Sequence, residues 1–504
     1  MDGKAAVRHR GKDASMTQAR QAHGSSPDAA APRAIVIGGG IAGLVAAREL
    51  SLTGHRVDVF EASPRFGGCV GSHEVAGLVL DAGAESFALR NTAVADLAAD
   101  LGLAEAITRP HAAASWLYHA PAETGKRPAA RAQPLPATAI LGIPADPRAD
   151  DVKAVIGTAG SVRAAADLAM PVTRRQATEP ISLGELVHAR MGQAVLEHLV
   201  TPIVAGVHSA DPSTLDADTV APGLRAAMAK HHSLARAVAS LKASAPAGSA
   251  VGGLTGGMHR LVTALVAELA GDGVGLHPGS RVASIAAEAG ADGGWRVVVD
   301  GRASSEQADR LIIATPGPAA VDLLSAVLPD AAALRPATGH GIALATLVVD
   351  QPELDEAPRG TGLLVAPGTV GVTAKALTHG TAKWEWLADE AGPGTHVLRL
   401  SYGRLSDAPG AVPADDQALR DVAIADASAL LGTELTAADV VGWDVVRYDA
   451  ALPFATTGHR DRVAAFRTAV AAHPGLEVVG AWLAGTGLAS VVADARARTA
   501  ITAS

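Results

Sequence analysis

The first regular pattern in the chain is a short apolar run, Ala34-Ile35-Val36-Ile37, followed at once by Gly38-Gly39-Gly40. A run of this length ending in turn residues predicts a strand buried on both faces in a parallel sheet. Residues 41–52 then carry Leu44, Val45, Ala47 and Leu50 with no breaker before Gly54, which predicts a helix packed on that sheet. Residues 55–61, ending in Val57-Asp58-Val59-Phe60-Glu61, return as a second strand. Together they make a βαβ unit of about 30 residues, the length of a right-handed crossover.

Farther along, residues 89–242 read as mostly helical, interrupted at 120–148 by a Pro/Ala/Gly-rich stretch expected to form a surface loop. The glycine cluster at 252–257 marks a boundary, after which 258–269 reads as a helix and 281–285, 295–299 and 310–314 as strands. Alternation at 342–349, 362–365 and 397–401 predicts a mainly antiparallel sheet between about 320 and 450. Residues 476–480 and 488–500 close the chain as strand, glycine-rich turn and helix, and no repeat of solenoid or propeller period stands out.

A length of 504 residues exceeds what one core supports, so two or three domains are expected. The composition is 48% hydrophobic and 3% aromatic, so the core is mainly aliphatic. A formal charge of −9 gives no footprint for nucleic acid. The single cysteine, Cys69, excludes an intrachain disulfide and a multi-cysteine metal or iron–sulfur site, and it is expected to be a passive loop residue. It also fits a reducing, cytoplasmic compartment. No apolar run is long enough for a spanning helix, since the stretch 478–493 is broken by Gly480, Gly485 and Gly487. Residues 1–32 hold no apolar segment of the export type and are expected to be a disordered leader, with Met16 an alternative start.

The chemistry begins with Gly38-Gly39-Gly40-Ile41-Ala42-Gly43, a G-x-G-x-x-G pattern between strand and helix. The first glycine permits the turn, the second lets a pyrophosphate approach the backbone, and the third lets helix and sheet pack closely. A helix N-terminus adds free N–H donors and the positive end of a dipole. Glu61 lies 21 residues after Gly40 at the end of the second strand, where a carboxylate can accept hydrogen bonds from a ribose. The pair makes this a Rossmann-type dinucleotide site.

Glu61-Ala62-Ser63-Pro64-Arg65-Phe66-Gly67-Gly68 resembles the E-A-x-x-R-x-G-G extension of the flavin amine oxidase superfamily, which implies FAD, with Ala62, Arg65 and Gly68 along it. Asp81-Ala82-Gly83-Ala84-Glu85-Ser86-Phe87 is similar to the D-x-G-P-E-S-F signature of the bacterial porphyrinogen oxidases, which lies beside the isoalloxazine ring. Ala84 replaces the family proline and leaves that turn less rigid. The likeness runs from about residue 34 to 500: the segment around Pro202-Ile203-Val204-Ala205-Gly206-Val207, Lys375-Ala376-Leu377-Thr378 with Lys383-Trp384, Tyr448 to Pro453 with Gly458-His459, and Gly480 to Leu488. For cofactor binding it implies Gly83, Ala84, Glu85, Ser86, Val282, Tyr448, Thr486, Gly487 and Leu488 in addition to the residues above. Phe454-Ala455 stands in place of the family's Q-Y, and Ser490-Val491-Val492 in place of D-C-I, so substrate fit or flavin tuning is expected to differ while activity is retained.

The fold class implied is α/β, a Rossmann-type FAD-binding domain with a mixed or antiparallel substrate sheet and a helical subdomain. FAD-binding parts are expected at 33–88, 246–318 and 473–504, the helical subdomain at 89–245 and the substrate domain at 319–472.

Membership implies hydride loss from a porphyrinogen methylene bridge to the flavin, so the cofactor carries the difficult step and no nucleophilic triad is needed. The resemblance favours conversion of coproporphyrinogen III to coproporphyrin III, a six-electron dehydrogenation in haem biosynthesis with O2 as acceptor. A transient contact with the next enzyme of the haem route is expected as well. Protoporphyrinogen IX is the near alternative; a flavin amine oxidase and a non-catalytic FAD-binding protein are the remoter ones. Propionates call for cations, and Arg90, Lys375 and Lys383 are the candidates, each weighed against an ordinary structural charge. Trp384 and Trp386 are read either as pocket walls or as packing on a strand, and His231-His232 as helix-surface histidines with no metal.

Overall fold

The computed structural model describes residues 31–112, 114–119, 131–137, 139–208, 210–244, 251–288, 293–336, 341–404, 407–408, 410–449 and 456–500. All but the last two residues of the expected leader, and the Leu452 to Ala455 segment, lie outside them.

Five parallel strands form the first sheet, in the spatial order Gly275–His277, Arg56–Phe60, Arg33–Ile37, Arg310–Ile313, Leu476–Val478. The central strand is buried on both faces, and its alternation decides which core each residue joins. Ala34 and Val36 pack with the helices Ile41–Leu52, His259–Gly271 and Leu488–Thr499, whereas Ile35 and Ile37 pack with the antiparallel sheet Val282–Ala287, Trp295–Val299, Glu306–Ala308 and the helix Gly317–Leu324.

The second sheet has seven strands, in the order Val440–Tyr448, Ile342–Asp350, Thr395–Tyr402, Ala376–His379, Gly362–Val365, Trp116–His119, Arg131–Pro134. All pairs are antiparallel except Gly362–Val365 with Trp116–His119. Its middle is covered twice: helix Asp416–Leu431 packs on one face, and the hairpin Ser72–Val75/Leu78–Asp81 packs on the other through Val75, Leu78 and Leu80. His73 ties that hairpin to the sheet, its Nδ1 lying 2.6 Å from the Asp444 carboxylate.

Two of those strands fall in the stretch read from sequence as helical and loop. Trp116-Leu117-Tyr118-His119 is too short for a helix and is rich in the aromatic side chains that suit a pleated surface, and Leu117 and Tyr118 are both buried. Ala139–Ile140 and Ile143–Pro144 pair as a further short ladder, while 120–130 lies outside the described residues. The remaining helices, among them Asp150–Ala165, Leu183–Met191, Leu224–His231 and Leu234–Ala243, enclose an aliphatic core of their own. A fully buried ion pair sits there: Arg190 Nε donates to Asp167 at 2.5 Å, and neither side chain is exposed.

On the helix-covered face of the second sheet His379 lies buried beside His396, Nε2 to Nδ1 at 3.0 Å, with Asp355 3.2 Å beyond. Burial, reinforced by the neighbouring imidazole, lowers the His379 pKa to about 3. The folded state therefore favours the neutral ring. Its contribution is complete above the unfolded value of about 6.5 and is lost as pH falls from there towards the folded value, at about 1.4 kcal/mol per unit. Stability is expected to drop by on the order of 3 kcal/mol by about pH 4 from this group. Urea melts of the native chain and of His379→Gln across that range check it: the variant should show the shallower pH slope.

Candidate functional site

Where strand Arg33–Ile37 turns into helix Ile41–Leu52, three of the motif's glycines have three different surroundings. Gly38 has φ +107°, and a Cβ there would lie 2.8 Å from the Ala314 carbonyl oxygen. A Cβ on Gly43 would lie 1.9 Å from the Gly38 carbonyl oxygen. At Gly40 a Cβ would meet nothing within 4 Å. The chain is thus pressed together on either side of an open notch. Gly40 is the N-cap of the helix, no side chain caps it, and no acidic residue lies in its first turn. Ile41 and Ala42 bury their side chains in the core and offer the notch only backbone N–H groups.

The Glu61 carboxylate accepts from Gly39 N and Ser63 N, both at 2.7 Å, which fixes it at the rim of the notch. Gly67 N donates to Gly39 O at 2.8 Å, and a Cβ on Gly68 would come within 3.5 Å of Gly40 Cα. Ala62 and Arg65 are exposed, the arginine reaching Ser72 O at 3.4 Å. Just before Val282, Ser280 N donates to Glu61 O at 2.7 Å and Gly279 N to Ser63 O at 2.8 Å, so that distant strand is pinned to the same rim. Val282 itself is buried in the core. A second uncapped helix start lies at Gly487, where a Cβ would again meet nothing within 4 Å; Thr486 and Gly487 are exposed, and Leu488 packs into the core shared with helix Ile41–Leu52. Two uncapped helix N-termini and a ribose-type carboxylate suit an adenine dinucleotide with a diphosphate.

The Asp81–Ser86 loop extends this cradle. Ala84 N donates to Cys69 O at 2.8 Å, and a Cβ on Gly83 would lie 2.3 Å from that same oxygen and 2.8 Å from the Tyr448 hydroxyl. Burial pushes the Tyr448 phenol up to about 12, so it stays protonated. Asp81 accepts from Met258 N and His259 N at 2.8 and 2.9 Å, anchoring the start of helix His259–Gly271. Glu85 turns towards the second sheet, where Lys383 Nζ donates to one carboxylate oxygen and Arg399 Nη2 lies 2.8 Å from the other. Burial opposes its ionisation, but Arg399 and Lys383 outweigh that and hold the carboxyl at about 2. Ser86 is half-buried beside it.

A pocket opens between this loop and the sheet, walled by Thr346, Thr378, Trp384, Trp386, Arg399 and Glu85. Thr346, Arg399 and Thr378 are direct cross-strand neighbours, which is why three polar side chains share one face. Of the three cations read as propionate partners, Lys383 does not itself line the pocket but is bound to Glu85, which does. Arg90 is exposed and does not line the pocket. Lys375 is not brought there either. Strand alternation puts it with Leu377 on the helix-covered face, 2% exposed, donating to Gly403 O at 3.3 Å, with its pKa lowered to about 8 by burial.

Trp384 and Trp386 sit in the short helices Gly380–Lys383 and Glu385–Ala391 and their junction rather than on a strand. His231 ends a helix and His232 takes a left-handed conformation after it; among the described residues no group of three metal-ligating side chains occurs. Arg399 escaped the sequence reading. Its signal was a lone arginine inside the apolar strand Val397-Leu398-Arg399-Leu400.

Residues 41–502 match the family described as flavin-containing amine oxidoreductase. The chain is 31% identical to the coproporphyrinogen III oxidase of Mycobacterium tuberculosis, over 92% of this chain and 96% of that one. It is 32% identical to the coproporphyrinogen III oxidase of Mycobacterium leprae, over 91% and 96%. A crystal structure from Exiguobacterium sp. 255-15, provisionally assigned as a protoporphyrinogen oxidase, superposes with a TM-score of 0.78 at 26% identity, covering 93% of this chain and 98% of that one.

Proposed function

The chain belongs to the family of flavin-containing amine oxidoreductases, and from that premise we propose that it dehydrogenates coproporphyrinogen III to coproporphyrin III. The observation that carries the reading is the whole-length likeness to the mycobacterial oxidases, which spans the cofactor cradle and the Lys375–Trp386 stretch alike. In this reading three molecules of O2 take up six electrons and six protons and leave as three of hydrogen peroxide.

FAD, when bound, supplies the hydride acceptor. The chain's own part is to bind, orient and enclose. Backbone N–H groups at Gly40 to Gly43 and at Gly487-Leu488 would hold the diphosphate and the far end of the cofactor, and Glu61 would take the ribose. Thr346 and Thr378 of the second sheet, with Trp384 from the adjoining short helices, wall a pocket that would form part of the space where a macrocycle is held away from water. Lys383, paired with the pocket-lining Glu85, is the cation proposed for a propionate. Among the described residues no helix is long and apolar enough to cross a membrane. A cytoplasmic place in haem biosynthesis, with a passing contact to the enzyme that takes the porphyrin, completes the proposal.

The nearest alternative is protoporphyrinogen IX, favoured by the Exiguobacterium likeness. Porphyrin fluorescence from the FAD-loaded protein, followed with each porphyrinogen in air, separates the two. Coproporphyrinogen III is expected to give a kcat/KM at least about tenfold higher. Absence of porphyrin from either, with anaerobic flavin left unbleached, would sink the proposal.

A further inference from the structure

A continuous chain of contacts leads from the diphosphate notch to the middle of the second sheet. Gly40 meets Gly67 and Gly68; Cys69 O accepts from Ala84 N; and the Gly83 and Asp81 carbonyl oxygens accept from Arg399 Nη1 at 2.8 and 3.3 Å. The other arm of the same guanidinium holds Glu85 at 2.8 Å. Arg399 is 15% exposed and is seated on a central strand between Thr346 and Thr378. One planar fork therefore grips three acceptors of a single loop.

From this geometry we infer that Arg399 is a positioning residue, which locks the Asp81–Glu85 loop against the substrate sheet and thereby sets both the shape and the local charge of the cofactor's cradle. The inference rests on the FAD reading of the notch and names a residue that no motif singled out. Two features make it more than a brace. The grip falls on two carbonyl oxygens and fixes their direction towards the guanidinium, so that loss of Arg399 frees two acceptors to rotate. Arg399 and Lys383 also offset the Glu85 and Asp81 carboxylates in a water-poor setting where charge is weakly screened, so that removing either cation leaves a net negative charge there. Such a negative charge disfavours electron uptake by a neighbouring group.

The test uses the full-length FAD-loaded protein and the variants Arg399→Ala and Arg399→Lys. Midpoint potential by dye equilibration and visible circular dichroism of the flavin are read without porphyrinogen; kcat and KM are then read with it. Arg399→Ala is expected to shift the potential to more negative values, alter the flavin dichroism and lower kcat by about 100-fold with KM changed by less than about threefold. Arg399→Lys keeps the charge without the fork and should restore the potential but only part of kcat. If Arg399→Ala does not fold, Lys383→Gln interrogates the same cluster with the fork intact and should move the potential in the same direction. A KM raised about tenfold with wild-type potential and dichroism would make Arg399 a substrate ligand and overturn the inference, as would no change at all. A shifted potential in a protein inactive on porphyrinogens would uphold it while removing the functional proposal.

Discussion

Gly40→Val is expected to give a stable, correctly folded protein that no longer retains FAD. The backbone at this position, φ −71° and ψ 176°, is open to any residue, and a Cβ there would touch no protein atom within 4 Å. The Cβ itself meets no clash in the apoprotein. In the proposed reading the space it fills is the approach of the diphosphate to the uncapped N–H groups of helix Ile41–Leu52, where charge-assisted hydrogen bonds depend on contact distance. Affinity should fall by about 100-fold or more, since a blocked approach removes several such bonds at once. The purified variant should be colourless, with FAD fluorescence unquenched on titration and an apoprotein melting curve superimposable on the parent. Gly43→Ala makes the contrast: its Cβ would lie 1.9 Å from the Gly38 carbonyl oxygen, so the apoprotein itself should be destabilised. A yellow Gly40→Val protein with parental affinity would place the cofactor elsewhere.

Asp167→Ala should be the most destabilising single change outside the cofactor cradle. The carboxylate accepts from Arg190 Nε at 2.5 Å, Ser233 Oγ at 2.6 Å, Leu234 N at 3.1 Å and Ala235 N at 2.9 Å. Alanine would leave a buried guanidinium without its counter-charge and take the acceptor from the first two N–H groups of helix Leu234–Ala243 together. Breaking a buried pair on one side costs about 3–5 kcal/mol, a large part of the 5–15 kcal/mol a folded protein typically holds. Asp167→Asn keeps an acceptor but not the charge and should fall between. Urea denaturation followed by far-ultraviolet circular dichroism measures both; a loss under about 1 kcal/mol would show the pair to be inert, as a surface pair such as Arg420–Asp421 is expected to be.

What could be read in the sequence followed how locally each feature is determined. The glycines of the first crossover and Glu61 are close in sequence, and each is demanded by steric or hydrogen-bonding needs that a short window displays. Four of the five parallel strands announce themselves as apolar runs, whereas Gly275–His277, half-buried at the edge of the sheet, did not. Val440–Tyr448 was missed as a separate strand because it is half-buried along almost its whole length, without the clean alternation that marks one face. Lys375 was misplaced because which face it takes depends on the register of Ala376–His379 against Thr395–Tyr402, a fact about two strands. Glu85 and Lys383 are 298 residues apart, and Lys383 was read as a cation awaiting a ligand because its partner could be found only in three dimensions. Arg399 is the extreme case, meaningful only once the loop it grips has been folded over it.

The five-stranded sheet takes its strands from residues 33–60, 275–313 and 476–478, and its first helix packs against the last one, Leu488–Thr499. During synthesis the amino-terminal crossover therefore leaves the ribosome long before the strands and helix that complete it. It has to wait, with its apolar faces uncovered, for nearly the whole polypeptide to emerge. Contacts so far apart in sequence form slowly and leave an interval open to aggregation. The ligand that finally fills the notch would bridge the oldest and the youngest parts of the nascent chain, sealing the two ends together.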